Sequence, residues 1–424
     1  MGELNFEPGD YVSFRLALEE VEGRVIESSD SSIILVKLKS GYNIGINKEN
    51  ILGFKVIRRF NEEKHKFELP KTKGLPTIGI VMTGGTIASK SNPKTGGVSP
   101  LTNVGEFAKY YPELFKIANV KTIEVPFMIA SESMNSEHWI KIAQIVKKLL
   151  DDKEISGVIV THGTDTLGYT AAALSFFLRN LNKPVVLTYT QRSIDRASSD
   201  ADLNLQCAAR MAISDAAEVM IVGHASTNDD FCFALPGTKT RKLHSSARDA
   251  FKAVNAEPIA RVWPERVEFV SQYRPRNDEK VELDVEFSDK VALVKYYPGQ
   301  DSSILDFYAL KYKGIIIEAL GLGHIATSEA TTNWIPRLKK LIREGFVVCL
   351  SAQTIYGRLD PYVYSNAREL LDAGCIFLED MLSETALVKL GWVLGHYGWK
   401  KEVKEKMLQN FAGELNNRLS LKNG

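Results

Sequence analysis

Two stretches of this sequence decide its fold: Thr77-Ile-Gly-Ile-Val-Met-Thr-Gly-Gly-Thr-Ile-Ala88 and Gly157-Val-Ile-Val-Thr-His-Gly-Thr-Asp-Thr166. In each, a short apolar run typical of a buried strand is followed by a turn rich in threonine and glycine, and then by a helical pattern. In an open parallel sheet, ligands collect outside the carboxyl ends of the strands, where glycine lets the backbone approach closely. The two stretches therefore predict an active site at one sheet edge.

The same alternation of strand and helix continues along the chain. Further buried-strand runs begin at Pro184 and Val219, and the segment 137–150 places its apolar residues on one helical face, with Ser136 as the expected N-cap. A second series of strand runs follows a charged stretch near 271–290. The apolar spacing of residues 384–421 predicts two helices at the C-terminal end. This pattern predicts an α/β body with parallel, helix-covered sheets in two domains.

Residues 1 to about 60 have a different pattern, with five short β-rich runs separated by turns, which resembles a small SH3-like β-barrel. The charged segment 61–74 has no apolar periodicity and is typical of a linker. We therefore expect domains at 1–70, 75–275 and 290–424. Residues 1–74 contain 12 basic and 12 acidic residues, which leaves RNA binding, protein docking and a spacer role all open for the barrel.

Composition excludes several classes of protein. The 424 residues carry a formal net charge of +1, so the overall balance gives no argument for nucleic-acid binding. No apolar run reaches membrane-spanning length and the N-terminus lacks a leader pattern, so we expect a cytoplasmic protein without a membrane anchor. The seven histidines show no metal-binding spacing, and we expect no metal and no cofactor bound by this chain.

Threonine hydroxyls in the two turns are the candidate catalytic groups. Threonine is a weak nucleophile unless a base, a proton relay or an oxyanion hole lies beside it. Thr86 follows Gly84-Gly85, and Thr164 precedes Asp165, so a hydroxyl and a carboxylate are available together for attack on an amide. A phosphate-cradling glycine turn is the alternative for the first motif alone, but neither a Walker loop nor a Rossmann spacing is present.

Taken together, the two motifs resemble the signature segments of the bacterial-type asparaginase and glutaminase family, over about residues 75–400. The resemblance implies that Thr86 forms an acyl-enzyme and that Thr164, Asp165 and a lysine relay protons. Phe251-Lys-Ala-Val-Asn255 is similar to the family's lysine segment and makes Lys252 the matching position, expected to pair with Asp165. Ser131 and Glu132 resemble the family's pair that holds the substrate's α-carboxylate and α-amino groups, and Gly85 and Gly163 complete the expected substrate-binding set.

Several assignments have ordinary alternatives. Lys252 is one of 53 basic residues and, without the motif, is interpreted as a solvated lysine. Ser131 and Glu132 also fit the opening of the helix after Asn135. His162 fits a packing or hydrogen-bonding role better than that of a base. The family's lid tyrosine has no counterpart in the segment 91–97.

A barrel joined to an asparaginase-like body resembles the D-subunit family of archaeal-type glutamyl-tRNA(Gln) amidotransferases. His324, at the end of Ala319-Leu-Gly-Leu-Gly-His324, also matches this family better than free asparaginases, which usually have Asn there. The resemblance implies a homodimer within a heterotetramer with the amidotransferase E-subunit, Glu-tRNA(Gln) as the substrate of the complex, and ATP and Mg used on the partner chain. A free-standing L-asparaginase and a non-catalytic ligand-binding module are the alternatives, and glutamine and asparagine both stay open as donor.

Overall fold

The computed structural model describes residues 5–60, 69–91, 98–100, 104–194, 196 and 198–419. Residues 5–60 form one antiparallel sheet with the order β4-β3-β2-β1-β5 and a core of its own. Its strands are β1 (Tyr11–Arg15), β2 (Glu20–Ile26), β3 (Ile33–Lys37), β4 (Asn43–Asn47) and β5 (Gly53–Arg58). The expected small β domain is confirmed.

Among the described residues, the next domain is built on an eight-stranded sheet and carries four α-helices. Its strands are β6 (Thr77–Met82), β7 (Ser89–Ser91), β8 (Val98–Pro100), β9 (Asn119–Glu124), β10 (Ile155–Thr161), β11 (Leu178–Arg179), β12 (Val185–Thr188), β13 (Val219–His224), β14 (Cys232–Pro236), β15 (Thr240–Lys242), β16 (Phe251–Ala253), β17 (Ala260–Val262) and β18 (Val267–Phe269). Its helices are α1 (Val104–Tyr110), α2 (Ser136–Leu150), α3 (Leu167–Phe177) and α4 (Ala201–Ala212).

The large sheet has the order β18-β17-β14-β13-β12-β10-β6-β9. Strands β9, β6, β10, β12 and β13 are parallel, whereas β14, β17 and β18 extend the sheet with antiparallel pairs. The sheet is therefore mixed rather than wholly parallel. The hairpin β15–β16, which is antiparallel and separate from this sheet, is not expected from the sequence.

The C-terminal domain has a parallel four-stranded sheet and five helices. After β19 (Glu282–Leu283), which pairs with β11, its elements are β20 (Val291–Lys295), β21 (Gly314–Ala319), β22 (Val347–Ala352), β23 (Ile376–Phe377), α5 (Ile304–Lys311), α6 (Ile335–Arg343), α7 (Ser365–Asp372), α8 (Ser383–Gly395) and α9 (Val403–Leu408). Residues 411–419 are not helical, so the second closing helix is much shorter than expected.

Alternation along the strands assigns residues to the two faces of the large sheet. Val158 and Val160 of β10 lie in a core with α2, α3 and α8, whereas Ile159 lies in a core with α4 on the opposite face. The first core includes residues of both domains, so the two domains are packed against one another. The two threonine motifs begin at the carboxyl ends of β6 and β10, which are adjacent parallel strands of this sheet.

None of the helices in the part of the chain that the structure describes is long and apolar enough to cross a lipid bilayer.

Candidate active site

The first threonine turn leaves β6 and lies against two other loops. Thr83, which is fully buried, donates its hydroxyl to the Thr161 carbonyl oxygen at 2.9 Å and so joins the ends of β6 and β10. Gly84 and Gly85 have φ of +123° and +77°, and a Cβ added at Gly84 would lie 2.2 Å from the Ile129 carbonyl oxygen. Only glycine permits this approach. Thr86 then opens a short 3-10 turn that ends at Ala88.

The second threonine turn is held by Ser131. Ser131 Oγ accepts a hydrogen bond from the Asp165 backbone N–H at 3.2 Å, and the Ser131 carbonyl oxygen accepts from Thr166 Oγ1 at 2.7 Å. A Cβ added at Gly163 would lie 2.7 Å from Ser131 Oγ, and one added at Gly85 would lie 2.6 Å from the Gly163 nitrogen. The structure therefore brings Gly85, Ser131 and Gly163 together, next in sequence to Thr86 and Thr164.

Lys242 is the lysine that contacts the second threonine turn. Its Nζ donates to Thr164 Oγ1 and to Asp165 Oδ1, both at 2.8 Å. The Lys242 side chain is 18% exposed, whereas the Asp165 side chain is 60% exposed. A hydroxyl, an ammonium group and a carboxylate thus lie within hydrogen-bonding distance at the carboxyl end of β10, an arrangement suited to proton transfer.

The expected pairing of Lys252 with Asp165 is wrong. Lys252 lies on β16, opposite Arg241, and its Nζ contacts Asp249 Oδ2 at 2.7 Å and the Ala225 carbonyl oxygen at 3.1 Å. Lys242 lies on the other strand of the same hairpin, directly opposite Phe251. The motif therefore indicates the correct hairpin and the wrong strand. Recognition of 240–253 as a hairpin would have made Lys242 an equal candidate.

Ser131 and Glu132 do not open α2. They lie in a separate 3-10 turn, Ser131–Ser133, while Asn135 caps α2 by accepting from the His138 backbone N–H. Ser131 is buried and Glu132 is exposed. The structure thus excludes the capping alternative for this pair, and contact with substrate stays a prediction for both residues.

His162 is a buried structural residue of the turn. Its Nδ1 donates to the Gly163 carbonyl oxygen at 2.7 Å, which leaves Nε2 to accept from the Thr170 hydroxyl of α3 at 2.8 Å. Complete burial lowers its pKa to about 4, so the ring is neutral at pH 7. His162 therefore fixes the turn on α3 and holds no mobile proton.

Two other expectations concern metals and the lid. No group of three or more His, Cys, Asp or Glu side chains suited to a metal ion occurs among residues that the structure describes. Residues 92–97, where the lid tyrosine has no counterpart, lie outside the described residues.

His324 lies after β21 in the C-terminal domain, with its ring edge-on to Tyr364 at a centroid distance of 5.2 Å.

Comparison with known protein families agrees with this architecture. The Asparaginase, N-terminal model matches residues 77–274, the Glutaminase/Asparaginase C-terminal domain model matches 290–407, and the GatD N-terminal domain model matches 6–57. The glutamyl-tRNA(Gln) amidotransferase D-subunit of Pyrococcus abyssi is 50% identical over 97% of this chain and 96% of its own length. That of Archaeoglobus fulgidus is 44% identical over 93% and 92%.

The chain belongs to the D-subunit family of glutamyl-tRNA(Gln) amidotransferases.

Solved structures of L-asparaginases have the same fold as this D-subunit family member. The thermostable L-asparaginase from Thermococcus kodakarensis superposes with a TM-score of 0.73 at 30% identity, covering 81% of this chain and 100% of that chain. L-asparaginase I from Vibrio cholerae gives a TM-score of 0.68 at 26% identity, with 81% and 100% coverage. The asparaginase-like two-domain body is therefore confirmed.

Proposed function

We propose that this chain is the amide-hydrolysing component of a glutamyl-tRNA(Gln) amidotransferase, which releases ammonia from the side-chain amide of glutamine or asparagine. The observation that carries the proposal is the contact of Lys242 with both Thr164 and Asp165. Two further features support it: the glycine contacts that hold the Thr86 turn against the Thr164 turn, and membership of the D-subunit family.

Thr86 is the proposed nucleophile. Its hydroxyl oxygen attacks the amide carbon, the carbon–nitrogen bond breaks, and the nitrogen leaves as ammonia after receiving the hydroxyl proton. A Thr86 ester of the acyl group remains. Water then attacks this ester, releases the acidic amino acid and returns a proton to the Thr86 oxygen.

Thr164, Lys242 and Asp165 are the proposed proton relay. The Lys242–Thr164 hydrogen bond gives a direct path for a proton between the ammonium group and the hydroxyl. Asp165 opposes the charge of Lys242 and fixes the direction of its Nζ. Lys242 thereby replaces Lys252 in the proposed catalytic set of Thr86, Thr164, Asp165 and Lys242.

The ammonia is proposed to serve a partner chain rather than to leave into solution. The D-subunit relatives are named for glutamyl-tRNA(Gln) amidotransferase, a reaction in which the side-chain carboxyl group of the tRNA-bound glutamate becomes an amide while its ester bond to the tRNA is kept. Activation of that carboxyl group requires ATP and Mg, and we propose that the partner, the amidotransferase E-subunit, binds them. A homodimer within a heterotetramer, located in the cytoplasm, completes the proposal.

Ammonia release from glutamine and from asparagine tests it, measured with the chain alone and then with the E-subunit, ATP and Glu-tRNA(Gln). We expect strong stimulation by the complete mixture, and loss of ammonia release in both Thr86→Val and Thr164→Val. Rapid turnover of asparagine that no partner alters would instead identify a free amidohydrolase, the role that the L-asparaginase structures favour. Normal turnover in Thr86→Val would remove the proposed nucleophile.

A further inference from the structure

Strand β15 carries positive charges on both of its faces. Lys242 is directed to Thr164 and Asp165, whereas Lys239, just before the strand, and Arg241 contact acidic residues of the C-terminal domain. Successive side chains of a strand point to opposite sides, so Arg241 and Lys242 lie on opposite faces of β15. Strand β15, which supplies the proposed relay lysine, is thus in contact with the C-terminal domain through Lys239 and Arg241.

The contact of Lys239 is fully buried. Its Nζ donates to Asp380 Oδ2 at 2.7 Å and to the Asp380 carbonyl oxygen at 3.0 Å, with side chains that are 1% and 0% exposed. Burial lowers the pKa of Lys239, and the Asp380 carboxylate opposes that effect. A buried charge is tolerated only where its partners are complete, which makes this contact a fixed point for the strand.

The C-terminal segment completes the partners of Asp380. The Asn416 backbone N–H donates to Asp380 Oδ1 at 3.0 Å, and Asn416 Nδ2 donates to Asp380 Oδ2 at 2.7 Å and to the Asn255 carbonyl oxygen at 2.6 Å. Asn255 follows β16, the other strand of the hairpin, and exchanges two hydrogen bonds with the backbone of Gly357. Both strands of the hairpin are therefore attached to residues 357–416.

The second charge contact lies closer to Lys242. Arg241 Nε contacts Glu384 Oε1 at 2.9 Å, and their side chains are 27% and 20% exposed. Glu384 lies in the first turn of α8, where the helix dipole favours a carboxylate. Because Arg241 is the residue directly before Lys242, this contact limits how far the backbone of Lys242 can shift relative to Thr164.

We propose that Asp380 and Glu384 are positioning residues, through which the C-terminal domain holds Lys242 against Thr164 and Asp165. The inference rests on the proposed role of Lys242 in amide hydrolysis. A lysine side chain has four rotatable bonds, so the backbone position of β15 decides whether Nζ reaches both partners. Displacement of a catalytic group by about 1 Å is enough to lower a rate by as much as a hundredfold.

Glu384→Gln is the first test, with Arg241→Gln and Arg241→Lys beside it. We expect kcat for ammonia release to fall about tenfold in the two glutamine variants, with KM within about twofold, and Arg241→Lys to recover most of the rate. Glu218→Gln is the matched control, because Glu218 is equally exposed and pairs with Arg274 before the amino end of β13, away from the site. We expect its kcat to be unchanged.

The double variant Lys239→Met/Asp380→Asn tests the buried contact without leaving one charge unpaired. We expect a folded protein with lowered kcat and unchanged KM. Normal kcat in this variant and in Glu384→Gln would overturn the inference. Lys242→Met separates the two levels: if it is inactive while the positioning variants are fully active, only the positioning role fails, and if it is fully active, the proposed role of Lys242 fails as well.

Discussion

At the scale of single residues, the ammonium group of Lys242 is the centre of the proposed chemistry. It is the shared donor to a hydroxyl and a carboxylate, and it is mostly shielded while Asp165 stays open to solvent. An ammonium group in such a position can exchange a proton with the neighbouring hydroxyl. Lys252, one strand away in the same hairpin, donates instead to the Asp249 carboxylate and to the Ala225 carbonyl oxygen, neither of which is a hydroxyl.

Substitution of the two lysines separates these roles. We expect Lys242→Met to lower kcat for ammonia release by about a thousandfold, the usual size of a lost proton-transfer group. We expect Lys252→Met to keep kcat within about fivefold, because it removes a partly exposed ion pair with Asp249 and a hydrogen bond to the Ala225 carbonyl oxygen, and no contact with Thr164 or Asp165. Steady-state kinetics with glutamine measures both, and the reverse order of effects would restore Lys252 as the catalytic lysine.

His162 predicts a dependence of stability on pH. Its pKa is about 4 in the folded protein and near 6.5 in the unfolded chain. Between these two pH values, His162 is protonated in the unfolded chain and neutral in the folded protein. Its contribution to stability is present above pH 6.5 and is lost as pH falls to 4, in total about 3 kcal/mol. Denaturant unfolding should therefore show a smaller acid loss in His162→Gln than in the wild type.

Exposed His244 supplies the control for this measurement. His244→Gln removes an imidazole whose ring accepts from nearby backbone N–H groups in the same loop. It measures what a histidine-to-glutamine change does at an exposed position. An identical acid loss in the wild type and in His162→Gln would contradict a neutral buried ring.

At the residue scale, sequence reasoning finds Thr164 and Asp165 because they follow a strand end that a hydrophobic run reveals. It finds Ser131 only through the resemblance to the family's substrate-binding pair. It does not find Lys242. That lysine reaches the site from a short hairpin whose two strands have three residues each, too short for periodicity to show. Its partner across the hairpin, Phe251, is next to Lys252, which explains why the segment 251–255 points to the neighbouring lysine.

At the scale of elements, glycine positions join the loops into one site. Gly84 approaches the Ile129 backbone and Gly85 approaches Gly163, so the loops after β6, β9 and β10 touch through main chain as well as through side-chain hydrogen bonds. Main-chain contact leaves little freedom for relative movement. The Thr86 turn is thereby fixed from two directions.

Gly84→Ala tests this arrangement. Its Cβ would lie 2.2 Å from the Ile129 carbonyl oxygen on a backbone with φ +123°, so the turn has to move. We expect kcat to fall at least about tenfold, since catalytic groups tolerate little displacement. Gly74→Ala is the control, because it has φ +89° but open space around the new methyl group. Equal, small effects of the two variants would mean that the close approach has no catalytic consequence.

Elements with strong periodicity are predicted well. Strand β6 has the expected bounds, and α2 runs from 136 to 150 against an expected 137–150, although Asn135 rather than Ser136 caps it. The region after α9 is not predicted. There Phe411 stacks near Trp392 and Trp399, and Glu414 accepts from the backbone of Phe411 and Ala412, so tertiary contacts hold the chain in an irregular path.

At the scale of the whole molecule, the barrel and the body are differently built. The barrel has its own core of eight buried residues, all within 12–51. The two body domains instead share a core in which strands of the large sheet meet α8. The L-asparaginase from Thermococcus kodakarensis covers 81% of this chain with 100% of its own length.

Removal of residues 1–74 should therefore leave hydrolysis intact. We expect the shortened chain to release ammonia from glutamine within about twofold of the full chain, because the shared core of the body contains no barrel residue. The full-length variant Asp10→Ala is a second test of the same point. It removes a carboxylate that accepts hydrogen bonds from Glu7, Arg59 and Phe60, and so destabilises the barrel alone. Loss of hydrolysis in a folded shortened chain would show that the barrel supports the site.

The long sequence separation between Lys239 and Asp380 means that the two residues are synthesised at different times during translation. The two residues are 141 positions apart, so at about 5–20 residues per second the ribosome delivers Asp380 on the order of ten seconds after Lys239. Until then the ammonium group of Lys239 has no carboxylate and remains hydrated. A nascent chain that stops before residue 380 therefore carries the threonine turns beside an unanchored hairpin, and we expect it to release ammonia more slowly than the complete chain.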